Sequence, residues 1–243
     1  MTALHRSPRG LADPSRDSAR SLVIVTEGAE TEVEYLKSLR RWFRFGPNVK
    51  VIGAGGDPCS IVETAATLHC DVAARRRHRI PDYVEFDEAW AVFDVESDPN
   101  RTSKVQKAIA LARRYGVSVA ASNPCFEFWL VLHLVDHIAP FGASKDVAKV
   151  LSNHFPSYSK STPPAPTQEN LTSATTRAAL GRNHHRDGGG DGNPSTNMDH
   201  LIASLVKAAS PTVSVTLGGL CDYDEADLSL VSGVKMGGAP PPR

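Results

Sequence analysis

The stretch SLVIVTEGAETEVEYLKSL, residues 21–39, decides how the rest of the chain is read. Its start, LVIVT at 22–26, is apolar and β-rich, the signature of a strand buried on both faces. The strand runs straight into Glu27, and Gly28 then offers a turn. Thr31 to Glu34 matches the S/T-x-x-E capping box, which predicts a helix beginning just after Thr31. Val33, Leu36, Leu39 and Phe43 follow at helical spacing. A strand, a tight turn and a helix is the opening unit of an α/β layer. It also crowds Glu27, Glu30, Glu32 and Glu34 at the mouth of that helix. Acids in a first helical turn are favoured by the helix dipole, so Glu32 and Glu34 have a structural explanation. Glu27 has none of that kind, because it ends a buried strand.

The remaining elements repeat the alternation. VKVIGAGG predicts a second strand with a glycine-rich exit, and Asp57-Pro58 an N-cap and N1 proline for a helix running to Arg79. EAWAVFDV, 88–95, reads as a third strand, Lys104–Tyr115 as a helix stopped by Gly116, and VSVAAS as a fourth strand. Strands alternating with helices predict a mostly parallel sheet flanked by helices. CFEFWLVLH is apolar nearly all round, a buried helix or a core strand; its length and its place after Asn123-Pro124 favour the helix, with Asn123 as its cap or, alternatively, positioning a phosphate. Shorter helices are expected at 144–153, 171–180 and 197–209, separated by the proline-rich FPSYSKSTPPAPTQ and the glycine-rich 181–196, which composition marks as a flexible loop. The predicted organisation is a flexible basic leader (1–20), an α/β core (21–135), a helical extension (136–210) and a C-terminal segment (211–243) with a disordered tail.

Composition narrows the field. The 243 residues are 41% hydrophobic, enough for a substantial core. Lys plus Arg and Asp plus Glu are 27 each, so any anion binding must come from a local patch. The four cysteines show no C-x-x-C pairing and read as small core hydrophobes in a reducing, cytoplasmic setting. No apolar run reaches membrane-spanning length, and the N-terminus lacks a signal-peptide core.

A second acidic group closes the third strand in WAVFDVESDP: Asp94, Glu96 and Asp98, spaced by two. Kept extended, that spacing points all three to one side. Open α/β sheets carry their sites at the carboxyl ends of their strands. In a parallel sheet Glu27 and Asp94 therefore reach the same edge. Clustered hard oxygen ligands suit Mg²⁺, or Mn²⁺ in its place, and the expected ligand set is Glu27, Asp94, Glu96 and Asp98. Asp98 before Pro99 also fits a turn. Glu127, an acid inside an apolar run, either faces the cluster or pairs inside the core with His133, an arginine or the backbone.

Cationic candidates are fewer. RRRHR at 75–79 closes a helix, where cations complement the dipole; Arg75, Arg76 and Arg77 are also candidates for nucleic-acid phosphates. Lys160 and Arg177 are candidates for neutralising charge in a transition state. NHHRD, 183–187, lacks a matched pair of ligands and is set aside as a metal site.

A carboxylate–glycine pair after the first strand, then two acids spaced by two after a later one, resembles the Toprim pattern of topoisomerases, primases and OLD-type nucleases. More closely, IVTEGAETEVEYLKSL, AVFDVESD, SNPCFEFWLVLH and NPSTNMDHLIASL, in that order, resemble the RloB-like family associated with abortive infection and phage defence. The chain departs from the family's D-x-D at Glu96. The resemblance implies a Toprim-like Rossmannoid core with a helical C-terminal extension. It also implies a Mg²⁺-dependent nuclease effector, with Glu27, Asp94, Glu96 and Glu127 at the catalytic site. Relatives often accompany an AAA/ABC-type ATPase, which implies such a partner. The alternative is a catalytically degenerate Toprim module that binds nucleic acid or a partner protein.

Overall fold

The computed structural model describes residues 20–44, 48–81, 84–96, 98–188, 190–209 and 223–233. The expected leader, except for Arg20, and most of the expected C-terminal segment lie outside these residues. Strands β1 (Leu22–Thr26), β2 (Val49–Gly53), β3 (Glu88–Asp94) and β4 (Ser118–Asn123) pair in parallel, in the order β2-β1-β3-β4. Helices α1 (Thr31–Trp42), α2 (Pro58–Cys70), α3 (Val72–Arg77) and α4 (Pro99–Tyr115) connect them. Then follow α5 (Glu127–Leu134), α6 (Ser144–His154), α7 (Gln168–Gly188), a two-residue β5 (Ser195–Thr196), α8 (Met198–Ala208) and α9 (Glu225–Ser232). β5 adds to β4 antiparallel. The protein is thus α/β, with a mostly parallel five-stranded sheet flanked by helices: a Rossmannoid core.

Alternation along the strands divides the core in two. Leu22, Ile24, Trp90 and Val92 pack with α1 and α5–α8 on one face. Val23, Val25, Ala91 and Phe93 pack with α2, α4 and α9 on the other. All five residues of β1 are buried, as a run without polar alternation requires in a sheet covered on both sides.

Three local expectations change. The helix from Pro58 breaks at Asp71, whose side chain accepts from the Ala73 amide and caps α3. The stretch 181–196 is not a loop throughout. α7 continues to Gly188, because Arg182 and His185 are buried with partners, and tertiary contacts outweigh the glycine-rich composition. Ser195 and Thr196 then join the sheet, so the extension and the core share one sheet. Asn123 does not cap α5: it is buried and donates from Nδ2 to the Val231 carbonyl at 3.1 Å. Of the cysteines, Cys125 is buried and Cys70 is exposed.

Candidate functional site

The register puts the acids together. β1 and β3 run in parallel with Thr26 opposite Val92, so Glu27 leaves the sheet beside Phe93 and one residue short of Asp94. The Glu27 amide donates to the Val92 carbonyl (2.9 Å), and the Asp94 amide donates to Glu27 Oε2 (3.2 Å). Glu127 arrives from the next strand, as the first residue of α5. Asp94 Oδ1 accepts from the Phe126 amide at 2.8 Å, just ahead of that helix, where the dipole favours an anion.

Glu27, Glu30, Glu32, Asp94, Glu96 and Glu127 line a single cleft of about 730 Å³ at the carboxyl edge of the sheet. Cys125, Ser144, Lys145 and Lys160 line it too, so the cleft joins acids to two cations. α6 and the segment after it thus form one wall; there Tyr158 donates its hydroxyl to Glu127 Oε1 at 3.0 Å. Glu127 therefore takes neither the His133 nor the arginine pairing. His133 sits in the core between the Tyr35 hydroxyl and the Trp129 carbonyl, both at 2.9 Å, and burial pulls its pKa down to about 4.

Crowding shows in the protonation equilibria. The Asp94 carboxyl is pushed well above the ordinary range by burial, then by the Glu32, Glu127 and Glu27 carboxylates. Glu32 is raised too, by burial first and then by Glu127 and Glu27, against the hydrogen bond it accepts from the Gly28 amide. Glu32 is thus part of the cluster, although its position in a first helical turn gives it a structural explanation. The same contact explains Gly28: a Cβ there would run into the Glu32 carboxyl group.

The donor set is right in kind for a hard divalent cation, and its mutual repulsion is what such a cation relieves. In position it is not yet converged. Among the described residues no three Asp, Glu, His or Cys side chains come together at metal-holding spacing. Four of the six acids have a protein partner: Arg101 for Glu27, the Gly28 amide for Glu32, the Phe126 amide for Asp94, Tyr158 for Glu127.

Several candidates are corrected. Asp94, Glu96 and Asp98 do not project together, because the chain turns at Glu96, whose φ is 54°, and the extended alternation ends. Glu96 still lines the cleft, exposed, while Asp98 caps α4 by accepting from the Asn100 amide at 2.8 Å and does not line it. The Thr31–Glu34 box does not form: Thr31 is already helical, and Glu34 pairs with Lys37. α2 runs back along the sheet until His69 reaches the Phe86 carbonyl (2.9 Å), just ahead of β3. Arg75, Arg76 and Arg77 therefore lie at the edge opposite the cleft, and Arg75 is buried. Arg177 donates to the Leu132 carbonyl at 2.7 Å, bracing α5 rather than facing the cleft. Lys160 does line the cleft. His184 and His185 build no metal cluster; His185 Nε2 bonds the Pro194 carbonyl (3.0 Å). Sequence reading missed Lys145 and Arg101, which stand in ordinary polar stretches with no local signal of their partners.

Fold and site together define a Rossmannoid α/β protein with an acidic cleft at the carboxyl edge of its sheet. A family model described as RloB-like protein matches residues 22–205, and the chain belongs to the RloB-like family. No curated protein and no solved structure matches it. Among the described residues no helix is long and apolar enough to cross a membrane.

Proposed function

We propose that this protein is a Toprim-like, metal-dependent nuclease, an effector of bacterial anti-phage defence that hydrolyses nucleic-acid phosphodiester bonds under the control of an ATPase partner. The observation that carries the reading is the meeting of Glu27, Asp94 and Glu127, from three separate elements, in one cleft with Lys145 and Lys160. Defence and the ATPase rest on the family resemblance. Glu27 and Asp94 would hold Mg²⁺ or Mn²⁺, with Glu96 and Glu127 as further oxygen donors. Such an ion, when bound, supplies charge neutralisation at a phosphate and lowers the pKa of a bound water. Lys145 and Lys160 add positive charge for the phosphate oxygens. The carboxylates facing the same cleft are acceptors for the proton of an attacking water. Tyr158 fixes one oxygen of Glu127 and so orients that side chain.

The second reading, a non-catalytic binding module, is favoured by the commitment of Glu27, Asp94 and Glu127 to protein partners. Strand scission of single-stranded DNA, duplex DNA and total RNA with Mg²⁺ or Mn²⁺, with and without the ATPase, separates the two. Glu27→Ala and Asp94→Ala should each abolish cleavage, and the double variant should be no worse than either, because residues acting as a unit are not additive. If nothing is cut and both variants keep the wild-type cellular phenotype, the binding module replaces the enzyme.

A further inference from the structure

Arg101 is the one arginine that ties the two halves of the acidic edge together among the described residues. It stands in the first turn of α4, and its side chain is only 12% exposed. Its Nη2 forms an ion pair with Glu27 Oε2. Nη2 and Nε also donate to the Asp94 backbone carbonyl, at 2.8 and 3.2 Å. The carbonyl grips the guanidinium from the main chain, so this hold does not depend on Glu27. Glu27 is a side chain with rotatable bonds, and Arg101 together with the Asp94 amide on Oε2 holds its carboxylate in one orientation.

We infer that Glu27 is a shared ligand: Arg101, anchored on the Asp94 carbonyl, competes with the divalent cation for it, so the ion acquires Glu27 only when that side chain turns away from Arg101. This rests on the metal-site reading above. It also accounts for acids that line one cleft without converging, since the residue ending β1 is drawn aside. An ion that must first break a charge-assisted, partly buried bond binds more weakly by the value of that bond. Arg101 is a positioning residue in this account, setting how readily the site loads.

The test is Mn²⁺ affinity of the full chain after chelator treatment, read by calorimetry and by the rise in melting temperature on adding Mn²⁺. Arg101→Gln removes the cation but keeps a donor for the Asp94 carbonyl. It should bind Mn²⁺ about tenfold more tightly than wild type, as expected for losing one charge-assisted competitor. Its metal-free melting temperature should fall, since Glu27 loses its counter-charge, and the Mn²⁺-induced rise should grow. Losing a positive charge beside the cleft strengthens cation binding by itself, so Arg101→Lys, which keeps the charge and loses the fork, is measured alongside, and no tightening in Arg101→Lys overturns the competition. Equal or weaker Mn²⁺ binding than wild type overturns the inference and leaves the metal site standing. No Mn²⁺ binding by either protein overturns both. If Arg101→Gln does not fold, Arg101→Lys decides in the same way: a point charge without the fork grips Glu27 less well, so a smaller tightening is expected.

Discussion

Two regions of the molecule concentrate charged side chains, and they are built on opposite plans. Behind β4 and β5, Arg182 is 1% exposed and forks onto Asp199, itself 0% exposed, with both nitrogen–oxygen distances 2.7 Å. Arg182 Nε also meets Asp227 Oδ2 at 2.8 Å, and Arg186 and His200 close on the same carboxylate. Two arginines thus face two aspartates. Burial alone would push Asp227 up, but His200 and the two guanidiniums hold it down at about 2. In the cleft, Glu27, Glu32, Asp94 and Glu127 stand with one partly buried arginine, paired with Glu27, and two lysines that line the wall, and Asp94 is driven the other way. The first cluster is a brace between α7, α8 and α9. The second crowds carboxylates beyond the cations beside them, and burial and mutual repulsion raise Asp94 and Glu32.

The largest expected effect strikes the brace. Arg182→Met leaves Asp199 and Asp227 buried without their main counter-charge and should cost about 3–5 kcal/mol in a chemical denaturation series. A loss no larger than that of an exposed ion pair would erase the contrast between the regions. The cleft should respond in the opposite direction. Asp94→Asn keeps an acceptor for the Phe126 amide and removes a repelled charge, so melting temperature should hold or rise, by about 2–4 °C per kcal/mol gained. The sign with pH follows from linkage. The native carboxyl binds its proton more readily than the unfolded chain does, so wild-type stability falls as pH climbs from the ordinary carboxylate range toward the raised value. The advantage of Asp94→Asn should therefore open with rising pH and close below about pH 4. His133 contributes equally to both proteins and drops out of the difference. A constant gap at every pH would mean that repulsion is not what burdens Asp94. The smallest effect sets the scale: Glu34→Gln touches only the exposed pair with Lys37 and should change stability by at most about 0.5 kcal/mol, measured by the same denaturation.

How much of this was legible depended on whether a residue's partner was near in sequence. β1 to β4 were legible because apolar runs ended by an acid, a glycine or Asn-Pro signal strands without tertiary help. Glu27 and Asp94 at one edge followed from parallel pairing alone. Glu32 did not, because the first-turn pattern that explains it locally hides the fold back onto Gly28. The Asp94–Glu96–Asp98 projection failed because one residue with positive φ breaks the alternation on which it depends. β5 was invisible at two residues, and α7 ran past Leu180 because Arg182 and His185 find partners at residues 194–227, beyond the reach of local composition. Arg101 and Lys145 look like ordinary surface cations until the fold brings them to the cleft.

The matched family span stops at residue 205, yet Asp227 lies on α9, beyond it. That helix is therefore no appendage. A fragment cut at the edge of the matched span would keep Arg182, Arg186 and His200 and lose the carboxylate that all three engage, leaving Asp199 as the carboxylate on Arg182. Where the matched span ends, the buried network is still one carboxylate short of complete.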